Sequence, residues 1–286
     1  MIKNKRIRLL EELPEGCIAT ILSCTTPVDA CRLSILSKSF RSAADSDTVW
    51  DRFLISDSII LQSPSLANTF TKKDLYMALS DRPIIIDQGT KSFQLQRKSG
   101  QKCYLLAARS LTIDCRNVDG EKEWIPKHDS RLVLYVQFFF KLCFKGSRKL
   151  LSSVLCSRMK FVVLLIKTLS LSPNTQYAAY LVFKIIDARG SKNERVNFSV
   201  GVSGGHRSIK SVCLDPNLEH RQHNNEAGLQ RPSVRCDGWL EIEMGEFFNS
   251  SLKDEEVHMS VIQRSGTWVR GNLFIEGIEV RPKYGN

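Results

Sequence analysis

The spacing of apolar residues changes once along this 286-residue chain, near Ser92. Before that point, positions such as Ile18, Ile21 and Leu22 lie three or four residues apart, as on one face of a helix. After it, short runs rich in β-branched and aromatic residues are separated by turn residues, a spacing typical of an antiparallel sandwich. The sequence therefore predicts an α+β protein with two parts, a small helical module followed by an all-β sandwich.

Two prolines predict where the first helices begin. Pro14 suits a first helical turn, because the N–H that it lacks would be unpaired there in any residue. Thr26, which precedes Pro27, is predicted to cap the second helix. The apolar residues exceed what so small a module can bury, which favours docking into a partner groove. A helical cap on the neighbouring domain explains the same pattern and stays open.

The N-terminal stretch resembles an F-box, through Leu13-Pro14, the isoleucines, Thr26-Pro27 and the downstream Trp50. This resemblance implies a helical module that docks on the Skp subunit of Skp–cullin–F-box ubiquitin ligases, so that the chain selects a substrate and performs no chemistry. The F-box is predicted over residues 9–55, followed by a partly helical linker over 56–91. The residues expected to bind the Skp-type adaptor subunit are Leu13, Pro14, Ile18, Ile21, Leu22 and Leu33.

Five motifs in the β-rich part resemble the phloem protein 2 family of plant lectins, also called Nictaba-like. They are Lys102–Ile113, Trp124-Ile125-Pro126, Leu171–Lys184, Asp237–Phe248 and Gly277–Lys283. The resemblance implies a lectin-like, jelly-roll type sandwich over residues 92–284 that binds N-acetylglucosamine-containing glycans on target glycoproteins. Together with the F-box, it matches the F-box phloem-protein-2-like architecture of plants.

A carbohydrate site of this family is expected to depend on aromatic rings, because sugars stack their apolar C–H faces on them. This chain has Cys115 and Lys122 where family members usually carry tryptophan. The candidate carbohydrate-binding residues are Trp124, Trp268, Arg270 and Asn272, although Trp268 serves equally well as a lid on the core. Two functions stay open: an adaptor whose sandwich reads glycans, and one whose sandwich binds protein without sugar affinity.

The net charge of +11 raises the question of nucleic-acid binding. Between Arg131 and Ser170 the chain carries eight basic residues and no acidic one, which accounts for most of the excess. Elsewhere acids and bases are interspersed, without the stripe of aromatic and basic residues typical of single-strand binders. Neither nucleic acid nor a membrane is therefore a predicted partner, and a membrane-surface anchor in the basic segment is kept as an alternative.

Residues 132–165 depart from the family pattern. Two apolar runs flank a basic, Ser/Leu-rich stretch, and neither helical nor strand periodicity organises them. Each run is too short to span a bilayer. Our hypothesis is that a variant or misspliced exon replaced a native strand here, in which case the chain is a non-functional product. Sequencing the transcript across this segment tests the hypothesis, because an intact, abundant message that encodes these residues would contradict it.

No enzyme, metal site or cofactor is predicted. Glu241 and Glu243 alternate with Leu240, Ile242 and Met244, so they are expected on the wet face of a strand together with Trp239. Solvated acids explain this pattern better than a glycosidase pair. The nine cysteines include no Cys-x-x-Cys pair, which favours reduced thiols in the cytoplasm or nucleus. The seven-residue spacing of Cys17, Cys24 and Cys31 is more typical of a helix than of a metal site.

Overall fold

The computed structural model describes residues 12–54, 66, 71–110, 112–115, 121–126, 134–139, 159–186, 195–214, 230–250, 253–263 and 272–283. For residues 112–115, 121–126, 134–139 and 159–165, the description is of the backbone. The chain divides into two compact units, one of residues 1–88 with 92–103 and one of residues 89–91 with 104–286. An α+β architecture with a helical part and a β-rich part, as predicted, is thereby confirmed.

Five helices are described in the first unit. They are α1 Glu15–Ser23, α2 Pro27–Leu33, α3 Lys38–Asp45, α4 Asp47–Asp51 and α5 Lys72–Asp81. The predicted cap of α2 is confirmed, because the Asp29 N–H donates to the Thr26 hydroxyl at 3.2 Å. Pro14 stands at the N-cap of α1, so α1 begins one residue later. No helix in the described ranges is long and apolar enough to cross a membrane.

The helical core of the first unit forms around Trp50, whose ring is fully buried. Its indole N–H donates to the Ala44 carbonyl at 2.7 Å. The Tyr76 ring of α5 lies 5.1 Å from the Trp50 ring, and the Tyr76 hydroxyl lies 3.2 Å from the Gln96 carbonyl. Helix α5, which lies within the region predicted as a linker, thus packs into the helical unit. Residues 92–103 belong to this same unit, whereas residues 89–91 belong to the other.

Fourteen strands are described. They are β1 Ile84–Ile86, β2 Lys91–Leu95, β3 Lys102–Ala107, β4 Thr112–Cys115, β5 Glu121–Pro126, β6 Leu134–Phe139, β7 Met159–Lys167, β8 Thr175–Ile186, β9 Arg195–Val202, β10 Arg207–Cys213, β11 Ser233–Val234, β12 Leu240–Asn249, β13 Glu256–Gln263 and β14 Asn272–Pro282. In the second unit one sheet has the order β3-β14-β8-β12-β11, with β6 beside β14 and β5 beside β6. The other has the order β10-β9-β13-β7-β4.

The core of the second unit lies between these two sheets. The first sheet contributes buried side chains such as Ile242, Met244 and Ile278, and the second contributes Phe198 and Met259. The pairing of β12 with β8 shifts between Glu243 and Gly245, and that of β14 with β8 shifts between Ile275 and Gly277. Such bulges change which residues share a face beyond them.

The segment 132–165 contains two paired strands. The backbone of β6 pairs with β5 and β14, and β7 lies between β13 and β4 in the second sheet. Strands therefore form at both ends of this segment although its sequence shows no strand periodicity. A short continuous apolar run is compatible with a strand even without alternation. Residues 140–158 lie outside the described part of the chain.

Candidate functional site

The structure separates the residues predicted to bind a Skp-type subunit into two groups. Ile18 and Leu22 are 1% and 0% exposed, so they hold the helical core together. Ile21 is 44% exposed. Pro14 is also exposed, and Leu13 and Leu33 are half-buried. Two further apolar residues, Ile35 and Leu36, are expected from their helical spacing to point inward, but the structure leaves them 74% and 49% exposed.

The predicted carbohydrate residues are described only in part. Trp124 lies on β5 opposite Val136 of β6, which in turn lies opposite Ile275 of β14. Asn272 is the first residue of β14. The structure therefore brings Trp124 and Asn272 into one sheet. Trp268 and Arg270 lie outside the described residues.

The face of β12 that was expected to be wet is largely covered. Trp239 is 1% exposed and belongs to a buried apolar cluster with Leu105, Ala107, Val182 and Phe274. The Lys184 ammonium lies 4.6 Å from the centre of its ring, a favourable cation–π distance. The expected alternation of faces is correct, but the expected exposure of Trp239 is wrong. Neighbouring strands supply the cover.

Glu241 is paired with two arginines on this face. Its carboxylate accepts two hydrogen bonds from the Arg281 guanidinium, at 2.7 and 2.8 Å, and one from Arg235 at 3.0 Å. Arg235 also donates to Glu279 and retains only 8% of its side-chain exposure. Glu241 is accordingly a shielded, ion-paired acid, which corrects its assignment as a solvated one.

Glu243 anchors a second group of ion pairs. The Lys283 ammonium lies 2.9 Å and the Lys210 ammonium 3.1 Å from its carboxylate. Lys283 also donates to Glu246, which accepts a 3.2 Å hydrogen bond from the Gln176 amide. We call the two groups together the polar face; its charged members are Lys210, Arg235, Glu241, Glu243, Glu246, Glu279, Arg281 and Lys283.

The turn between β11 and β12 positions Arg235 beside Glu241 and Glu279. A tight turn links β11 to β12, in which the Arg235 N–H donates to the Trp239 carbonyl at 2.7 Å. Gly238 in this turn has φ +77°, a conformation that glycine adopts without strain. Asp237 accepts from the Trp239 N–H at 3.1 Å. The Asp-Gly turn thus directs Arg235 back toward Glu241.

The ion pairs determine the ionisation of the glutamates. Burial acts to raise the pKa of Glu241, but hydrogen bonds and charge from Arg281 and Arg235 outweigh it and hold the pKa below its ordinary 4.5. The same balance, with Lys283 and Lys210 as partners, lowers the pKa of Glu243. A glycosidase needs one carboxyl group with a raised pKa as its general acid. This pair of glutamates does not suit that role.

The polar face can instead bind by hydrogen bonding. Its carboxylates, guanidinium groups and amide are held in fixed positions by one another, which gives both donors and acceptors at low ordering cost. In the described part of the chain, no group of three His, Cys, Asp or Glu side chains is placed to hold a metal ion. The sequence signal for this face was the alternation of charged residues in β12 and β14, but the pairing of those strands was not readable.

Comparison with known proteins finds family matches in both the helical and the β-rich part of the chain. The F-box domain profile matches residues 10–52, and the phloem protein 2 profile matches residues 101–282. The Arabidopsis thaliana protein "Putative F-box protein PP2-B8" is 34% identical, over 98% of this chain and 90% of its own length. "Putative F-box protein PP2-B12" of the same plant is 36% identical, over 95% and 97%.

Among solved structures, a xylan-binding domain from Paenibacillus barcinonensis aligns with 63% of this chain and 90% of its own, at 10% identity and a TM-score of 0.29.

Proposed function

This chain belongs to the plant family of F-box proteins that carry a phloem protein 2 domain, and we propose that it is the substrate-recognition adaptor of a Skp–cullin–F-box ubiquitin ligase. The observation that carries the proposal is that one chain contains both family domains. The F-box would bind the ligase, and the phloem protein 2 domain would bind the target. The family is one of adaptors and lectin-like proteins rather than catalysts. In this role the chain binds the target and does not itself transfer ubiquitin.

The helical unit is the part that would bind the Skp-type subunit. Ile21, Ile35 and Leu36 expose apolar side chains in a unit whose core is already filled by Trp50, Ile18 and Leu22. Exposed apolar residues gathered on one small module favour a partner groove. Among the predicted contacts, Leu13, Pro14, Ile21 and Leu33 are thus the better candidates, because Ile18 and Leu22 are already buried.

The second unit would read the target, and we propose glycans that contain N-acetylglucosamine as the ligands. The support is family membership together with a sheet face rich in fixed hydrogen-bonding groups. The action is proposed for the cytoplasm or nucleus. The free thiols of Cys17, Cys24 and Cys236 are exposed, and reducing compartments preserve such thiols.

A binding assay with a purified plant Skp-type subunit tests the adaptor function. Replacing Ile21 by alanine should weaken binding about tenfold or more, because burial of one such side chain is worth roughly 1.5–3 kcal/mol. Ile85 offers a matched control, since it is an isoleucine of the same unit with 42% exposure against 44% for Ile21. Ile85→Ala should bind as the unaltered chain does. A full-length chain that fails to bind any Skp-type subunit would refute the adaptor function.

A further inference from the structure

Phe248 is an exposed aromatic ring at the end of the polar face. It keeps 55% of its exposure, whereas its neighbour Phe247 is 6% exposed and stacks on Tyr177 at 5.7 Å. Successive strand residues point to opposite sides, so Phe248 faces away from the core. An exposed ring of this size on a sheet face is an apolar surface without an evident structural role in the described part of the chain.

The strand register surrounds this ring with polar groups. Phe248 lies opposite Gln176 on β8, and the Lys283 N–H donates to the Gln176 carbonyl at 2.8 Å, which puts the three residues in one row. The adjacent row holds Glu246 opposite Ala178. The Gln176 amide and the Lys283 ammonium both donate to Glu246, so the amide, the ammonium and the carboxylate are fixed beside the ring. We call Gln176, Glu246, Phe248 and Lys283 the Phe248 platform.

The charge of the surroundings selects the kind of ligand. The charged groups of the polar face are all ion-paired: Glu241, Glu243, Glu246 and Glu279 pair with Lys210, Arg235, Arg281 and Lys283, and Arg235 also pairs with Asp237. An anionic or cationic ligand would have to break one of these pairs, at a desolvation cost. A neutral sugar does not, because each hydroxyl group can donate to a carboxylate and accept from an amide or ammonium group.

The ring supplies what the charged groups lack. A pyranose has an apolar C–H face that packs on an aromatic ring, while its equatorial hydroxyl groups reach polar side chains beside that ring. We infer that the Phe248 platform is a binding site for a neutral oligosaccharide, with Phe248 as the stacking surface and Gln176, Glu246 and Lys283 as hydrogen-bonding groups. The inference rests on the glycan-reading part of the proposed function and assigns that reading to a particular surface.

This site is distinct from the one expected from the sequence. Asn272 begins β14 and Lys283 directly follows its last residue, so the two lie at opposite ends of an eleven-residue strand. At about 3.3 Å per residue, they are separated by roughly 30 Å or more. One monosaccharide cannot contact both, and variants at the two ends test different surfaces.

Titration of the full-length chain with triacetylchitotriose and with a neutral N-glycan core tests the assignment. Phe248→Ala should weaken binding about tenfold or more, as expected when a central aromatic contact is truncated. Phe248→Tyr keeps the ring and should retain binding. The control Ile209→Ala removes an apolar side chain that is 74% exposed on β10 and should leave the affinity unchanged. Thermal midpoints of all variants establish that the sandwich is intact.

The outcomes separate the inference from the proposed function. If the original chain binds the glycans and Phe248→Ala binds them equally, glycan reading stands and the Phe248 platform is refuted. If the original chain binds neither glycan but retains the Skp-type subunit, the adaptor function stands, and both glycan reading and the platform are refuted. Equal loss of binding in Phe248→Ala and Phe248→Tyr would also overturn the stacking role.

Discussion

At the scale of single residues, Gly277 has less room for a side chain than the other glycines compared in the described ranges. A Cβ there would lie 2.0 Å from the Leu106 carbonyl oxygen, and that oxygen belongs to the backbone of the paired strand β3. Relief would require the two strands to part, so Gly277→Ala should reduce the free energy of unfolding by about 1–3 kcal/mol or more. Chemical denaturation measures the loss.

Gly205 supplies the control for that substitution. Its Cβ would meet the Val202 carbonyl oxygen at 3.4 Å, an ordinary contact, and Gly205→Ala should leave the midpoint nearly unchanged. An equal loss in both variants would contradict the steric explanation. The sequence alone did not distinguish these two glycines, because the difference depends on which strand passes beside each of them.

The residue patterns predicted local backbone structure correctly more often than they predicted how deeply each side chain is buried. The cap at Thr26 depends on the next three residues and was predicted correctly. The face of β12 that carries Trp239 and Glu241 was also correct, but their burial was not. Burial here depends on Lys184 of β8 and Arg281 of β14, which lie far away in the sequence. Cross-strand partners of this kind require the register, which alternation does not provide.

At the scale of elements, the edge strand β10 carries a charged side chain on the core side of its sheet. Lys210 lies opposite Phe198, which is fully buried, so it is placed on the core side of its sheet. Its ammonium reaches Glu243 at 3.1 Å. An inward-pointing charge on an edge strand opposes pairing with another chain, because a second edge would have to desolvate it.

Replacing Lys210 by isoleucine should therefore promote self-association. The variant would present a flat apolar edge that also carries the exposed Ile209, and its sedimentation should become concentration-dependent. Lys167→Ile is the matched control, since Lys167 pairs with Asp254 at 3.3 Å but lies at the end of β7, a strand inside the sheet order rather than at its edge. If both variants remain monomeric, Lys210 does not protect the edge.

At the scale of the whole molecule, the sequence predicted two parts of different class, a helical part and a β-rich part. The region after the F-box was assigned to a linker because Pro, Ser and Asp residues interrupt it. Yet α5 and β2 pack with the first unit, through contacts such as that of Tyr76 with Trp50. Domain membership is determined by packing partners, and the apolar runs Ile59-Ile60-Leu61 and Ile84-Ile85-Ile86 indicated such packing without identifying the partner.

The stability of the whole chain should depend on pH through the polar face. Glu241 and Glu243 have folded-state pKa values below the ordinary 4.5, so protons bind more tightly to the unfolded chain. Their contribution to the free energy of unfolding is complete above that ordinary pKa and is lost as the pH falls through the lowered values. Thermal midpoints should therefore decline as the pH falls from the ordinary 4.5 through the lowered pKa values.

A double variant, Glu241→Gln with Glu243→Gln, tests the origin of that decline. It should be less stable than the original chain at pH 7, because Arg235, Arg281 and the lysines lose their charged partners in a shielded place. Its further loss on acidification should be smaller, since the amides do not titrate. Glu12→Gln, at an exposed position of the helical unit, should instead follow the original pH curve. Parallel curves for the original chain and the double variant would show that other carboxylates govern acid unfolding.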